Sequence, residues 1–219
     1  MSKDLELLRF NMVEQQIRPW EVLDQKVLSL LFEVKREDFI ADKYKAMAFV
    51  DMEIPLGHGQ FMLAPKLEAR LIQSAQIQST DKVLIVGTGS GYATALAAKQ
   101  AHVVYSVDII PEFHQTAQAN LAKYGFHNVM LETGDASKGW SHHAPYDVII
   151  LMGSIPILHD GFQKDLNVGG RLVVIEGDDP VMTAKLITHV SNGVFNSQDL
   201  FETSILPLAH ALQPERFVF

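Results

Sequence analysis

Near the start of the chain, Leu5, Leu8, Met12 and Val13 recur at helical spacing, so one face of a helix would collect them. Pro19 then breaks the pattern, because proline lacks the N–H that a helix interior needs. Val22, Val27, Leu28, Leu31 and Phe32 predict a second helix. Residues 51–64 read as a loop, with Pro55, Gly57 and Gly59 closely spaced. A third helix is expected to open at Pro65, which suits a first helical turn, with Leu67, Leu71 and Ala75 on one face.

From Lys82 the texture changes to short apolar runs alternating with helical stretches. KVLIVG precedes TALAAK, and VVYSVD precedes FHQTAQANLAKYG. VMLETGD and YDVIILMG follow, then the helix-like LHDGFQKDL and the strand-like GGRLVVIEG. Alternation of this kind predicts an α/β fold, a doubly wound, mainly parallel Rossmann-like sheet with helices on both faces. Runs such as VIILM, apolar at every position, fit strands buried on both sides. Beyond Met182 one more helix and a pair of late strands ending at Phe219 are expected. The organisation expected is a helical segment over residues 1–64 packing on a main domain over 65–219, in one globular unit.

Composition narrows the class. Hydrophobic residues make up 47% of the 219 and charged residues 20%, as in soluble globular chains. Cysteine is absent, which excludes disulfides, thiolate zinc sites and a cysteine nucleophile, and fits a reducing compartment. A formal net charge of −8 without a basic run argues against a nucleic-acid partner. No apolar stretch reaches the roughly 18 residues of a membrane helix. MSKDLELLRF lacks the apolar core of a secretory signal, so no membrane partner and a cytoplasmic location are expected.

The strongest local signal is VLIVGTGSGY, an apolar strand running into a glycine turn ahead of a helix. Glycines let the backbone turn sharply and approach a ligand without a Cβ clash. Gly87, Thr88, Gly89, Ser90 and Gly91 are therefore candidate cofactor contacts. The dinucleotide fingerprint G-x-G-x-x-G would need glycine where Tyr92 stands, which disfavours a nicotinamide dehydrogenase. The G-x-G-x-G spacing suits a ligand without pyrophosphate, such as S-adenosylmethionine. Asp108 ends the next apolar run where a carboxylate would reach ribose hydroxyls, with Ile109 beside it, and it would repel a 2′-phosphate. Gly134, Asp135 and Ala136 follow the next strand, where a carboxylate and backbone could read an adenine amino group.

With these residues in place the chain resembles the protein-L-isoaspartate O-methyltransferase family. The resembling segments are IRPWEVLDQKVL, VKREDFI, IPLGHGQFMLAP, VLIVGTGSGY, GDASKGW, APYDVII and LNVGGRLVVIEG, in the family order over residues 10–180. The glycine loop alone is weakly specific, whereas the upstream IPLGHGQ-x-x-x-x-P taken together with GD-x-x-x-GW is much more so. The resemblance implies methyl transfer from S-adenosyl-L-methionine to the carboxylate of isoaspartyl residues in damaged proteins. The acceptor is then such a peptide or protein, or a small carboxylate. A same-fold methyltransferase with a different acceptor and a non-catalytic cofactor-binding relative stay open as alternatives.

Two positions depart from the family pattern. Where the family reads T-I-S-x-P, with a serine beside acceptor and cofactor, this chain has Leu63 in the serine position. Where the family places an acid two residues before the first loop glycine, this chain has Ile85, so a glutamate there is expected to tighten cofactor binding. A carboxylate with a reference pKa of about 4 is already ionised at neutral pH, so its methylation needs no general base. Losing one hydroxyl then costs about 1.5–3 kcal/mol and weakens the reaction without forbidding it. Met62 and Phe61 are expected as apolar walls near the cofactor or simply as core, and His58 either as a residue facing the acceptor or as a turn histidine without chemistry. Trp140 is expected to pack under the GDASKGW loop. His142 and His143 are read as a solvated polar loop with no metal.

Overall fold

The computed structural model describes residues 2–191 and 193–215. Helix α1 (Ser2–Asn11) runs into a π-helical turn, Met12–Ile17, and a 3₁₀ turn, Arg18–Trp20, that carries Pro19 in its first turn. Met12 and Val13 are buried, but Leu5 and Leu8 are exposed, so only the far end of the expected stripe reaches the core. Helix α2 (Gln25–Glu33) starts after Asp24, whose side chain accepts the backbone N–H of Lys26 at 2.8 Å. Val27, Leu28 and Leu31 face inward. Val22 is buried ahead of the cap, and Phe32 lies outside.

The segment expected as a loop contains a β-hairpin, β1 (Ile54–Gly57) against β2 (Gln60–Met62). Its two turn residues, His58 and Gly59, have φ of +53° and +72°, the positive pair of a tight hairpin turn. Pro55 had argued for a loop, but a two-stranded ribbon has a free edge on which a proline costs no ladder bond. Helix α3 (Pro65–Ala75) begins with its proline in the first turn, as expected.

The remaining elements alternate as the pattern indicated. They are β3 (Lys82–Val86), α4 (Tyr92–Ala98), β4 (Val103–Asp108), α5 (Pro111–Ala122), β5 (Val129–Thr133), β6 (Tyr146–Leu151), α6 (Asp160–Lys164) and β7 (Leu166–Asp178). They feed one seven-stranded sheet of order β5-β4-β3-β6-β7-β8-β9. Pairings from β5 through β7 are parallel. Alternate residues of β3 feed opposite layers, Val83 and Ile85 one core, Leu84 and Val86 the other. The first layer also takes Met12, Val27, Leu31 and Leu71, so the N-terminal helices share it with the sheet.

After Met182 the expectation of a helix is wrong. Strands β8 (Val181–Ser191) and β9 (Val194–Thr203) extend β7 as an antiparallel meander, with no helix among the described residues. On β8 only Met182, Ala184 and Ile187 are fully buried, a one-faced strand easily mistaken for a weak helical stripe. The late strands end at Thr203, and Phe219 lies outside the described residues. No described helix is long and apolar enough to cross a membrane.

The sheet order reverses between β3 and β6, because the chain runs outward through β4 and β5 before returning. A doubly wound sheet opens a crevice at the carboxyl ends of its strands where the order reverses, and that is where such folds bind ligands.

Candidate active site

A cleft occupies that crevice, with an empty volume of about 990 Å³ including its open mouth. Sites for small molecules run from about 300 to 1,000 Å³, so a nucleoside with a side arm has room. Three walls of it were legible beforehand. The loop after β3 contributes Gly87, Thr88, Gly89 and Ser90. The end of β4 contributes Asp108 and Ile109, and the turn after β5 contributes Gly134, Asp135 and Ala136. Met62 and Leu63, from β2 and the residue after it, close a fourth side with Phe61.

The glycine loop is held from beneath by hydroxyls. Thr88 Oγ1 lies 2.7 Å from Ser106 Oγ, which lies 2.8 Å from Thr94 Oγ1, all three buried. Ser90 O accepts Asn120 Nδ2 at 3.0 Å. Gly91 stands apart from the cleft wall. Its φ is +86°, it caps α4, and a Cβ there would lie 3.0 Å from the Cβ of Ala117 on α5. Its role is helix packing, and the sequence spacing gave no way to separate it from its two neighbours.

Asp108 is 9% exposed. Burial pushes its carboxyl above the ordinary value, against the backbone N–H groups of Gly89, Ile110, Thr88 and Ile109 that pull it down. Its Oδ2 accepts Gly89 N at 2.9 Å and its Oδ1 accepts Ile110 N at 3.0 Å, leaving lone pairs for further donors.

Asp135 is half exposed and already engaged. Its Oδ1 accepts Ser137 N at 3.0 Å, and its Oδ2 lies 2.8 Å from His210 Nδ1. Burial pushes its carboxyl up, but those two partners outweigh it and hold it below the usual range. Trp140 lies under this turn as expected. A Cβ on Gly134 would fall 2.5 Å from the indole, so only glycine lets ring and backbone meet.

His58 does not line the cleft. It is exposed at the hairpin tip, with its ring edge-on to Phe113 at 5.7 Å. His143 is part of the packing instead of a solvated loop: it stacks on Tyr105 at 4.1 Å, and its Nε2 lies 2.7 Å from Glu132 Oε1. Ile85 is fully buried in the core and does not line the cleft. A strand interior that alternates between layers explains this, since its neighbours Leu84 and Val86 face the other way.

Several wall residues went unnoticed in the sequence. Leu206, Pro207, Leu208 and Ala209 form one wall after β9, tied down where Leu208 N donates to Ser154 O at 2.8 Å and Ser154 N to Leu206 O at 3.0 Å. No spacing rule links residues 206–209 to Ser154 in the loop after β6. Glu68 and Tyr92 also line the cleft although both are buried, at 3% and 2% exposure. The departure of Tyr92 from the dinucleotide pattern was the available signal, and Glu68 among apolar positions of α3 was a second.

The model of the protein-L-isoaspartate(D-aspartate) O-methyltransferase family matches residues 9–213. A protein-L-isoaspartate O-methyltransferase of Gloeobacter violaceus is 34% identical over 200 residues, covering 90% of this chain and 96% of that one. The Protochlamydia amoebophila enzyme of the same name is 37% identical over 166 residues, 76% of this chain and 79% of its own. A solved protein-L-isoaspartate O-methyltransferase superposes with a TM-score of 0.79 at 21% identity, covering 94% of this chain and 66% of that one. A Plasmodium falciparum structure provisionally given that name, in complex with S-adenosyl-L-homocysteine, superposes with a TM-score of 0.76 at 18% identity, covering 90% of this chain and 96% of that one.

Proposed function

The chain belongs to the protein-L-isoaspartate(D-aspartate) O-methyltransferase family, and from that premise we propose that it methylates the side-chain carboxylate of isoaspartyl residues with S-adenosyl-L-methionine. The observation that carries the reading is the meeting of Asp108, the glycine loop and the Leu63 segment on one cleft. A ligand with a ribose at one end and an alkyl arm at the other would span those walls.

The residues fit that ligand. Asp108 keeps lone pairs for two ribose hydroxyls, and the loop from Gly87 to Ser90 gives the arm close backbone approach. Ala136 and Ile109 would offer apolar surface to a base, and Asp135 with its neighbouring backbone would meet the edge of that base. S-adenosylmethionine, when bound, supplies a methyl group activated on a sulfonium. The chain's own contribution is position and dryness. Leu63, Met62 and Leu208 exclude water from the arm end, and an ionised acceptor carboxylate beside them needs no base to become nucleophilic.

Leu63 sets the rate. It offers no donor to an acceptor carboxylate that has shed its water, a cost that hydrogen bonding would otherwise offset. The reading is tested by titrating the chain with S-adenosylhomocysteine and by offering it an isoaspartyl peptide with labelled cofactor. Saturable binding together with isoaspartyl-dependent label supports it.

The partners proposed are peptides and proteins bearing isoaspartyl residues. A cytoplasmic location is proposed with them, on the absence of cysteine and the excess of acidic residues.

A further inference from the structure

Three buried polar residues, Arg36, Glu68 and Tyr92, meet beside the cleft, and the last two line it. Arg36, 1% exposed, donates Nη1 to Glu68 Oε2 at 2.5 Å and Nη2 to the backbone oxygen of Leu63 at 2.6 Å. Its guanidinium also lies 5.5 Å from the ring centroid of Tyr92. Arg36 thus gathers α3, the Leu63 segment and the first residue of α4, directly after the glycine loop, around one point.

Arg36 Nε is buried without a partner, and two further groups, both on residues of the cleft wall, are also unmatched. The Tyr92 hydroxyl is buried without a hydrogen-bond partner, on a residue that lines the cleft. Buried hydroxyls almost always have one, so an unpartnered hydroxyl on a residue of the cleft wall points to a ligand. Glu68 is the second. Burial pushes its carboxyl up to about 7, and the field of Arg36 recovers only part of that cost. Arg36 occupies Oε2, so the other oxygen is left for a cation or a donor. The remaining carboxylates of the cleft wall are elsewhere or weaker candidates. Asp108 and Asp135 hold backbone N–H groups at the nucleoside end, and Glu53 is only half buried. Strand β3 offers no acid, because Ile85 is sealed in the core.

We propose that Glu68 and Tyr92 form the subsite for the amino-acid end of the cofactor, Glu68 receiving its ammonium group and Tyr92 donating to its carboxylate. The assignment rests on the cofactor reading above. A zwitterion matches an acid beside an unpaired hydroxyl donor. An anionic acceptor would meet Glu68 as a like charge, and a neutral acceptor would leave it unmatched. The charged and titratable groups acting around Glu68 are Arg36 from the 3₁₀ turn Arg36–Phe39 and Tyr92 from α4, with Glu37 of the same turn acting on Tyr92; Glu53 ahead of β1 lines the same cleft. An ammonium arriving there favours the ionised form of Glu68, and the proton it gives up goes to the buffer.

Calorimetry on the native chain with two ligands tests the subsite. S-adenosylhomocysteine carries the amino-acid end, and 5′-methylthioadenosine carries the same nucleoside without it. Glu68→Gln keeps an oxygen for Arg36, and Tyr92→Phe keeps the ring. Glu68→Gln is expected to weaken S-adenosylhomocysteine by about tenfold or more, Tyr92→Phe by several-fold, and both to leave methylthioadenosine within about twofold. Near pH 7, comparison of buffers should show release of about half a proton with S-adenosylhomocysteine. That release should be absent with methylthioadenosine and absent in Glu68→Gln. Equal losses for both ligands, or none, with the native chain still binding both, would overturn the subsite while leaving the cofactor reading intact. Failure of the native chain to bind either ligand would remove the cofactor reading and the subsite with it.

Discussion

Gly89 donates its backbone N–H to Oδ2 of Asp108 at 2.9 Å, so the carboxylate that ends β4 also fixes the glycine loop that ends β3. One side chain therefore shapes the loop and faces the proposed ribose. Asp108→Ala should weaken S-adenosylhomocysteine by about 1.5–3 kcal/mol, roughly 10- to 150-fold, by calorimetry. NAD should bind far more weakly than S-adenosylhomocysteine to the native chain. The reverse order would mean that the loop serves a dinucleotide.

Gly91 is expected to matter to stability more than to binding. With φ at +86° and Ala117 Cβ 3.0 Å from the place of a new methyl, Gly91→Ala combines left-handed strain with overpacking. A loss of about 2–4 kcal/mol in unfolding free energy is expected from denaturant titration. A change within about 0.5 kcal/mol would show that α4 and α5 can part freely.

Ile85→Glu should fail to tighten cofactor binding, contrary to the expectation drawn from the family resemblance. Ile85 is 0% exposed among Val83, Ile150 and Val173, where a carboxylate has no partner. Its burial should cost several kcal/mol or leave the glutamate neutral. Thermal unfolding checks this, and a stable variant with tighter S-adenosylhomocysteine binding would contradict it.

Glu68 gives stability a pH dependence of definite sign. Its carboxyl is raised from 4.5 to about 7 by burial, so between those values the native state binds more protons than the unfolded chain. The contribution is fully present below about pH 4.5 and is lost as pH rises through 7. Unfolding free energies across that window should fall more steeply in the native chain than in Glu68→Gln. Identical slopes would place the titration elsewhere.

The sheet and the cleft walls at the ends of β3, β4 and β5 were readable in the sequence because both follow local rules. Apolar runs such as Val148–Leu151 alternate with helices, Asp108 ends a strand, and Gly87 and Asp135 follow one. The hairpin from Ile54 to Met62 was hidden by Pro55, and β8 by its single buried face. The pairing of Arg36 with Glu68 was not readable, since it reaches across 32 residues of chain. The wall at Leu206 to Ala209 likewise depends on the path of the chain after the meander, which no local spacing encodes.

Methyl transfer itself decides the account. Leu63 is 6% exposed on the cleft wall and carries no donor, so turnover should be slow but directed. The measurement is incorporation of label from methyl-tritiated S-adenosylmethionine into an isoaspartyl peptide, with the normal aspartyl peptide as control. The expected result is label in the isoaspartyl peptide alone, with kcat/KM rising about tenfold in Leu63→Ser as one hydrogen bond to the acceptor is restored. Equal labelling of the two peptides, or no label from either form of a chain that binds S-adenosylhomocysteine, would contradict it.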